Sequence, residues 1–287
     1  MLRHTIESLC ARGDIEPFER LPLTRLSNVL WEDPALGARL LSVHLDGNTD
    51  QASRGSVLRT AIETWIGAIA GDLRGHNVLD LYCGTGSLTG CGRVQSYVGV
   101  DVNPVLISAA RDLHGGNANF VCADTLAYAR AESLSSASLV LVLYECLNAL
   151  GARAARDLLG LLHRQCSPGT WLIGDVRLRS VDVGFGRKWA PAHGCVYFAP
   201  SEADLVIDES GHSDDGMYFG HRYVSVSGGI AGASIHSFIE LFQADGVTEL
   251  LERTGWQLRE SQQVLSGMPT DVAECVDNLF FAAIASP

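Results

Sequence analysis

The chain has 287 residues, 47% hydrophobic and only 19% charged, enough apolar material for a sizeable buried core and too little charge for a disordered chain. Its formal net charge of -12 repels phosphate backbones, which argues against a nucleic-acid partner. Eight cysteines without C-x-x-C spacing, no 18-residue apolar run and no apolar leader segment point to a cytoplasmic protein with reduced thiols, no structural zinc and no membrane span.

Taken in chain order, residues 1–55 carry scattered apolar side chains, and residues 56–70 then place Leu58, Ile62, Trp65, Ile66 and Ile69 at helical spacing. Five short apolar runs follow, at 77–82, 96–102, 119–124, 138–145 and 170–176. Helical stretches separate them, including 104–113, opened by Pro104, and 152–165. Apolar strands alternating with helices predict parallel pairing and a doubly wound α/β sheet of the Rossmann-like kind. Residues 178–242 break the pattern and read as several β segments joined by turn signals, an inserted antiparallel element. A helix over 244–254, ended by Gly255, and strands at 256–264 and 279–285 bring the sheet to seven.

Residues 78–90 run from a strand into a glycine-rich turn that opens a helix. Glycines let the backbone approach a ligand, and a helix N-terminus offers unpaired N–H groups. The next strand ends in Asp101, a carboxylate able to accept from two ribose hydroxyls. The spacing therefore predicts a nucleoside site. Gly84 and Gly86 fit the dinucleotide fingerprint G-x-G-x-x-G, but Thr89 stands at its third glycine. Asp80, just before the loop, suits a cationic amino group better than a pyrophosphate.

The stretch from Asp80 to Gly86 resembles the glycine-rich motif of class I S-adenosylmethionine-dependent methyltransferases, D-x-G-x-G-x-G, with Tyr82 at the first glycine. The resemblance continues over about 100 residues. It implies S-adenosylmethionine as cofactor, held by Asp80, Tyr82, Cys83, Gly84, Thr85 and Gly86 in the loop. It also implies Asp101 and Val102 at the ribose, and Asp124 and Thr125 near the adenine. Upstream, residues 44–54 are similar to a segment of a bacterial small-molecule subgroup in which an arginine, here Arg54, faces the cofactor carboxylate.

The fourth strand delivers Tyr144, Glu145 and Asn148 to the end where open α/β sheets bind ligands. Glu145 is the candidate base or counter-ion for a substrate amine, with capping of local N–H groups as its bland alternative. Tyr144 is the candidate aromatic face for the cofactor sulfonium. No metal site is expected. In small-molecule members of the family the N-terminal segment and the insertion cover the pocket, so the resemblance implies a lid over 1–55, a core over 56–177, a β-rich lid over 178–242 and a return to the core over 243–287. Phe18, Trp31, Asn148, Trp189, Tyr197, Tyr218 and Tyr223 then become candidate substrate contacts, with His193, His221 and His236 in the same insertion. The expected activity is methyl transfer to a nitrogen or electron-rich carbon of a small, partly aromatic natural-product intermediate by a monomer or homodimer. O-methylation, a nicotinamide-dependent oxidoreductase and a cofactor-holding protein without turnover are the alternatives.

Overall fold

The structure, a computed structural model, describes residues 31, 34–47, 53–88, 94–179, 185–191, 204–228, 230–268 and 277–287. These residues belong to two compact units, one formed by 31–179 with 242–287 and the other lying within 180–241.

The larger unit is a three-layer α/β core. Its sheet runs β3 (Asn119–Cys122), β2 (Ser96–Asp101), β1 (Asn77–Leu81), β4 (Leu139–Val142), β5 (Trp171–Arg177), β11 (Asn278–Ala285) and β10 (Trp256–Gln262). The first five strands are parallel, and β11 is antiparallel to both of its neighbours. Seven strands and the doubly wound arrangement are as the apolar runs predict. An antiparallel β11 beside β5 also departs from the six parallel strands of a dinucleotide-binding sheet.

Alternation along the strands builds the two helical layers. Leu139 and Leu141 of β4 face one way, with Ile173 and Phe280. They pack under α2 (Ser56–Ala70), through Leu58, Ile62, Trp65 and Ile66, and under Ile107 and Ala110 of α3 (Pro104–His114). Val140 and Val142 face the other way, with Leu172, Val176 and Phe281. They meet Ala129 of α4 (Thr125–Ala131), Ala155, Leu158, Leu159 and Leu162 of α5 (Cys146–Gln165), and Val247, Leu250 and Leu251 of α6 (Ala244–Arg253). The α5 residues repeat at helical spacing, one apolar stripe against the sheet. Gly174 is required where β11 crosses β5, because a Cβ there would lie 2.6 Å from the Phe281 ring and 2.7 Å from the Val142 carbonyl.

Several predicted boundaries move at the strand ends. The run 138–145 is a strand only to Val142, and 77–82 only to Leu81. Tyr82, Tyr144 and Glu145 instead take left-handed backbone, at φ 62°, 65° and 58°. The helix expected from 152 begins at Cys146 and kinks at Gly151, whose φ is 78°. Among the described residues of 31–55, α1 (Pro34–Leu45) lies on α3, and the Trp31 carbonyl accepts from Asn103 Nδ2 at 2.9 Å.

The second unit holds a four-stranded antiparallel sheet, in the order β6 (Phe185–Pro191), β7 (Leu205–His212), β8 (Tyr218–Ser227) and β9 (Ile230–Glu240), which is the inserted β segment expected from 178–242. Leu205, Ile207, Val224 and Val226 form its apolar face. Glu209 and Arg222, opposite each other across β7 and β8, are a buried ion pair on that face, joined by an Arg222 Nε bond of 2.6 Å. Among the described residues no helix is long and apolar enough to cross a membrane.

Candidate functional site

The site is built at the C-terminal edge of the core sheet, where the chain leaves β1, β2, β3, β4 and β5. Leu81 pairs with Val100 on one side and Val142 on the other, so the loops after β1, β2 and β4 emerge as neighbours. The loop after β1 turns through Tyr82, Gly84 at φ 54° and Gly86 at φ 69°. The Gly86 amide donates to the Cys83 carbonyl at 2.8 Å, and the Cys83 amide to the Val100 carbonyl at 3.1 Å. Gly84 is needed twice, for its left-handed backbone and because a Cβ would sit 2.5 Å from Cε1 of His44 on α1. Burial lowers the His44 imidazole to about 4, so the ring that covers this loop is neutral.

Asp101 holds the loop from below. Its Oδ2 accepts from the Gly84 amide at 2.9 Å and its Oδ1 from the Asn103 amide at 2.8 Å. A carboxylate has about four acceptor directions, so acceptor capacity remains for a ribose hydroxyl. Burial raises the Asp101 carboxyl, against the backbone donors from Asn103, Gly84 and Val102. Val102, next in the chain, is half-buried. Asp80 is 3% exposed, and its Oδ2 accepts from the Tyr97 hydroxyl at 2.5 Å. Burial lifts its carboxyl to about 7; Tyr97 works against the rise and Asp101 adds to it. Thr85 and Cys83 are buried, and burial pushes the Cys83 thiol and the Tyr82 phenol well up. After β3, Asp124 caps α4, its Oδ1 accepting from the Ala127 amide at 2.8 Å, and Thr125 is buried behind it.

The loop after β4 holds a polar cluster. Tyr144 and Glu145 form two consecutive left-handed residues ahead of α5. Glu145 occupies the cap position and makes no side-chain cap bond. It faces Arg54, with Oε1 3.5 Å from Nη2, and its side chain is 21% exposed. Arg54 Nη2 donates to Asp175 Oδ2 at 2.6 Å, and the guanidinium carbon lies 4.5 Å from the centre of the Tyr144 ring. The aromatic face expected to meet a ligand cation therefore carries Arg54 on one side. The carboxylates of Asp175 and Glu145 hold Arg54 well above the usual range against its own burial. Asp175 also accepts from the Tyr144 amide, at 2.5 Å, and from Asn278 Nδ2, at 2.6 Å.

Asn148 is 1% exposed, and its amide closes on the Arg177 backbone, donating to the carbonyl at 2.9 Å and accepting from the N–H at 2.8 Å. It ties α5 to β5. Within the inserted sheet, Tyr223 is buried and stacks on His221 at 5.9 Å, and Tyr218 lies beside Phe238. His221 Nδ1 lies 3.6 Å from Asp208 Oδ1, and burial and Arg222 lower the His236 imidazole. Trp31 is half-buried. Phe18, Tyr197, His193, Thr89 and the Trp189 side chain lie outside the described residues.

Sequence reasoning missed His44, Tyr97, Asp175 and Asn278. Asp175 had a readable signal, an acid inside the apolar run Trp171–Val176. Tyr97 and Asn278 had none, since each is defined by a partner far along the chain.

No family model and no curated protein matches the sequence. Solved structures do match in fold. The CcbJ methyltransferase from Streptomyces caelestis superposes with a TM-score of 0.63 at 14% identity, over 88% of this chain and 98% of that one. An S-adenosylmethionine-dependent methyltransferase from Clostridium acetobutylicum gives 0.59 at 11% identity, over 81% and 93%. An amino pentose methyltransferase from Micromonospora echinaspora, involved in calicheamicin biosynthesis and solved with S-adenosylmethionine bound, gives 0.54 at 18%, over 79% and 89%. The chain has the Rossmann-like fold of these methyltransferases.

Proposed function

We propose that the chain is an S-adenosylmethionine-dependent methyltransferase acting on a nitrogen or an electron-rich carbon of a small, partly aromatic natural-product intermediate. The observation that carries the reading is the uncapped, left-handed Glu145 at the open end of β4, next to a glycine loop whose Gly84 amide is fixed by Asp101. Strained backbone held at the ligand-binding edge of an open sheet points to a site. Fold likeness to an amino pentose methyltransferase supports an amine acceptor.

The residues present fit the cofactor. Asp101 keeps acceptor capacity for a ribose hydroxyl. Arg54 has a buried Nε without a hydrogen-bond partner among the described residues, on the same guanidinium that Asp175 anchors, and such a group lacks the acceptor a carboxylate would supply. When bound, S-adenosylmethionine supplies a methyl group on a sulfonium, open to displacement by a nucleophile. Glu145 accepts the proton of the acceptor nitrogen, or pairs with its cation before transfer. Tyr144 and His44 narrow the approach and exclude water. Glu145, beside the Arg54–Asp175 pair, offers a carboxylate to a cationic amine.

Calorimetry with S-adenosylhomocysteine and NAD side by side tests the reading. The expected result is binding of the first alone. Binding of NAD without S-adenosylhomocysteine would replace it with a nicotinamide-dependent activity.

A further inference from the structure

We infer that Asp175 is a positioning residue that orients Arg54 and, through it, sets recognition of the cofactor's amino-acid tail. This rests on the proposed function. The side chain is fully buried, so it touches no ligand itself. Its two oxygens gather three donors from three separate segments: the Tyr144 amide after β4, Arg54 Nη2 ahead of α2, and Asn278 Nδ2 at the start of β11. A buried carboxylate with three donors, one of them a cation, is well satisfied, and the groups around it are fixed in return.

The geometry of the fork gives the specificity. Asp175 takes Nη2 from one side, and the Tyr144 ring lies 4.5 Å from the guanidinium carbon. The plane of Arg54 is thereby set, and its Nε–H is left buried and without a partner among the described residues. A planar guanidinium held in one orientation presents its remaining N–H groups along fixed directions, which suits a carboxylate oxygen and not a ribose or a purine. The same Asp175 bond to the Tyr144 amide pins the left-handed step that turns Glu145 toward Arg54.

The test uses two probes that differ in the tail: S-adenosylhomocysteine, which carries the amino acid, and 5′-methylthioadenosine, which does not. Asp175→Asn keeps the shape and an acceptor for the Tyr144 amide but turns a donor toward Arg54 or Asn278. Affinity for S-adenosylhomocysteine is expected to fall about tenfold or more, as for loss of a charge-assisted bond, with methylthioadenosine changed less than about threefold. Equal losses for both probes would mean a merely structural role and would overturn the inference, as would no loss for either. Arg54→Lys covers the case in which Asp175→Asn does not fold, because it keeps a cation against Asp175 and removes only the fork. It should lose the tail preference in the same way, and an unchanged preference would overturn the inference whatever Asp175→Asn does. If the wild-type protein binds neither probe, the functional reading itself fails, a result distinct from both of these.

Discussion

Replacing Asp80 by asparagine is expected to stabilise the protein at pH 8 while weakening its hold on the cofactor. Asp80 is 3% exposed, and burial moves its carboxyl from 3.8 to about 7 in the folded chain. A rise of roughly three units at about 1.36 kcal/mol each sets an upper cost of about 4 kcal/mol for keeping it ionised. The sign follows from proton binding. Below 3.8 the carboxyl is protonated in both states; between 3.8 and about 7 only the folded state holds the proton, so stability falls as pH rises through that window. Asparagine carries no titration and still offers an oxygen to the Tyr97 hydroxyl, though a weaker acceptor than a carboxylate. The variant should therefore gain about 1–4 kcal/mol over wild type at pH 8 and little near pH 4. Urea denaturation of both proteins at pH 4, 6 and 8 measures the gap. A gap that does not grow with pH, or a variant less stable at pH 8, would show that Asp80 is stabilised as an anion and refute the argument.

Glu145→Gln should leave S-adenosylhomocysteine affinity and melting temperature near wild type but lower single-turnover methylation by about 10²–10⁴-fold, partly restored at high pH; wild-type turnover in a folded variant would remove Glu145 from the chemistry. Gly84→Ala should cost about 1–2 kcal/mol for its left-handed backbone, beyond the clash with His44, and should abolish S-adenosylhomocysteine binding. Adding His44→Ala should recover part of the stability, and a Gly84→Ala protein that binds normally would contradict the close approach. Asn148→Ala should lower stability by about 1–3 kcal/mol by removing both side-chain bonds to the Arg177 backbone, without changing cofactor affinity. A stable Asn148→Ala protein with an altered acceptor KM would return that residue to the substrate site.

The core was legible because its elements are specified locally. The β4 run Leu-Val-Leu-Val, buried on both faces, could only be an interior strand, and Asn103-Pro104 writes its own helix start, with the Asn103 side chain accepting from the amides of Val105 and Leu106. The strand ends were misplaced for a reason of the same kind. Residues 143–145 continue an apolar, strand-like pattern, and nothing in Leu-Tyr-Glu announces a left-handed turn, because the turn is imposed by a bond from Asp175, 31 residues away from Tyr144. The candidate site was legible where one segment supplies it, as in the loop from Asp80 to Gly86. It was illegible where its parts meet across the sheet, as with Asn278 and Asp175, separated by 103 residues.

Among the described residues, the three left-handed non-glycine positions all stand at the same sheet edge, Tyr82 after β1 and Tyr144 with Glu145 after β4. Each costs of order 1–3 kcal/mol and survives only where its surroundings over-determine it. The surroundings are identifiable: the Cys83 amide on the Val100 carbonyl behind Tyr82, and the buried Asp175 on the Tyr144 amide. Glycine at any of these positions would remove the strain and with it the side chain. At 82 the motif it resembles has glycine, and this chain keeps a half-buried tyrosine instead. At 144 and 145 the side chains retained are the ring under Arg54 and the carboxylate beside it. Backbone strain at this edge is thus tied to side chains that could not be placed there by a relaxed turn, and the inward-facing Asp175 is what makes the arrangement affordable.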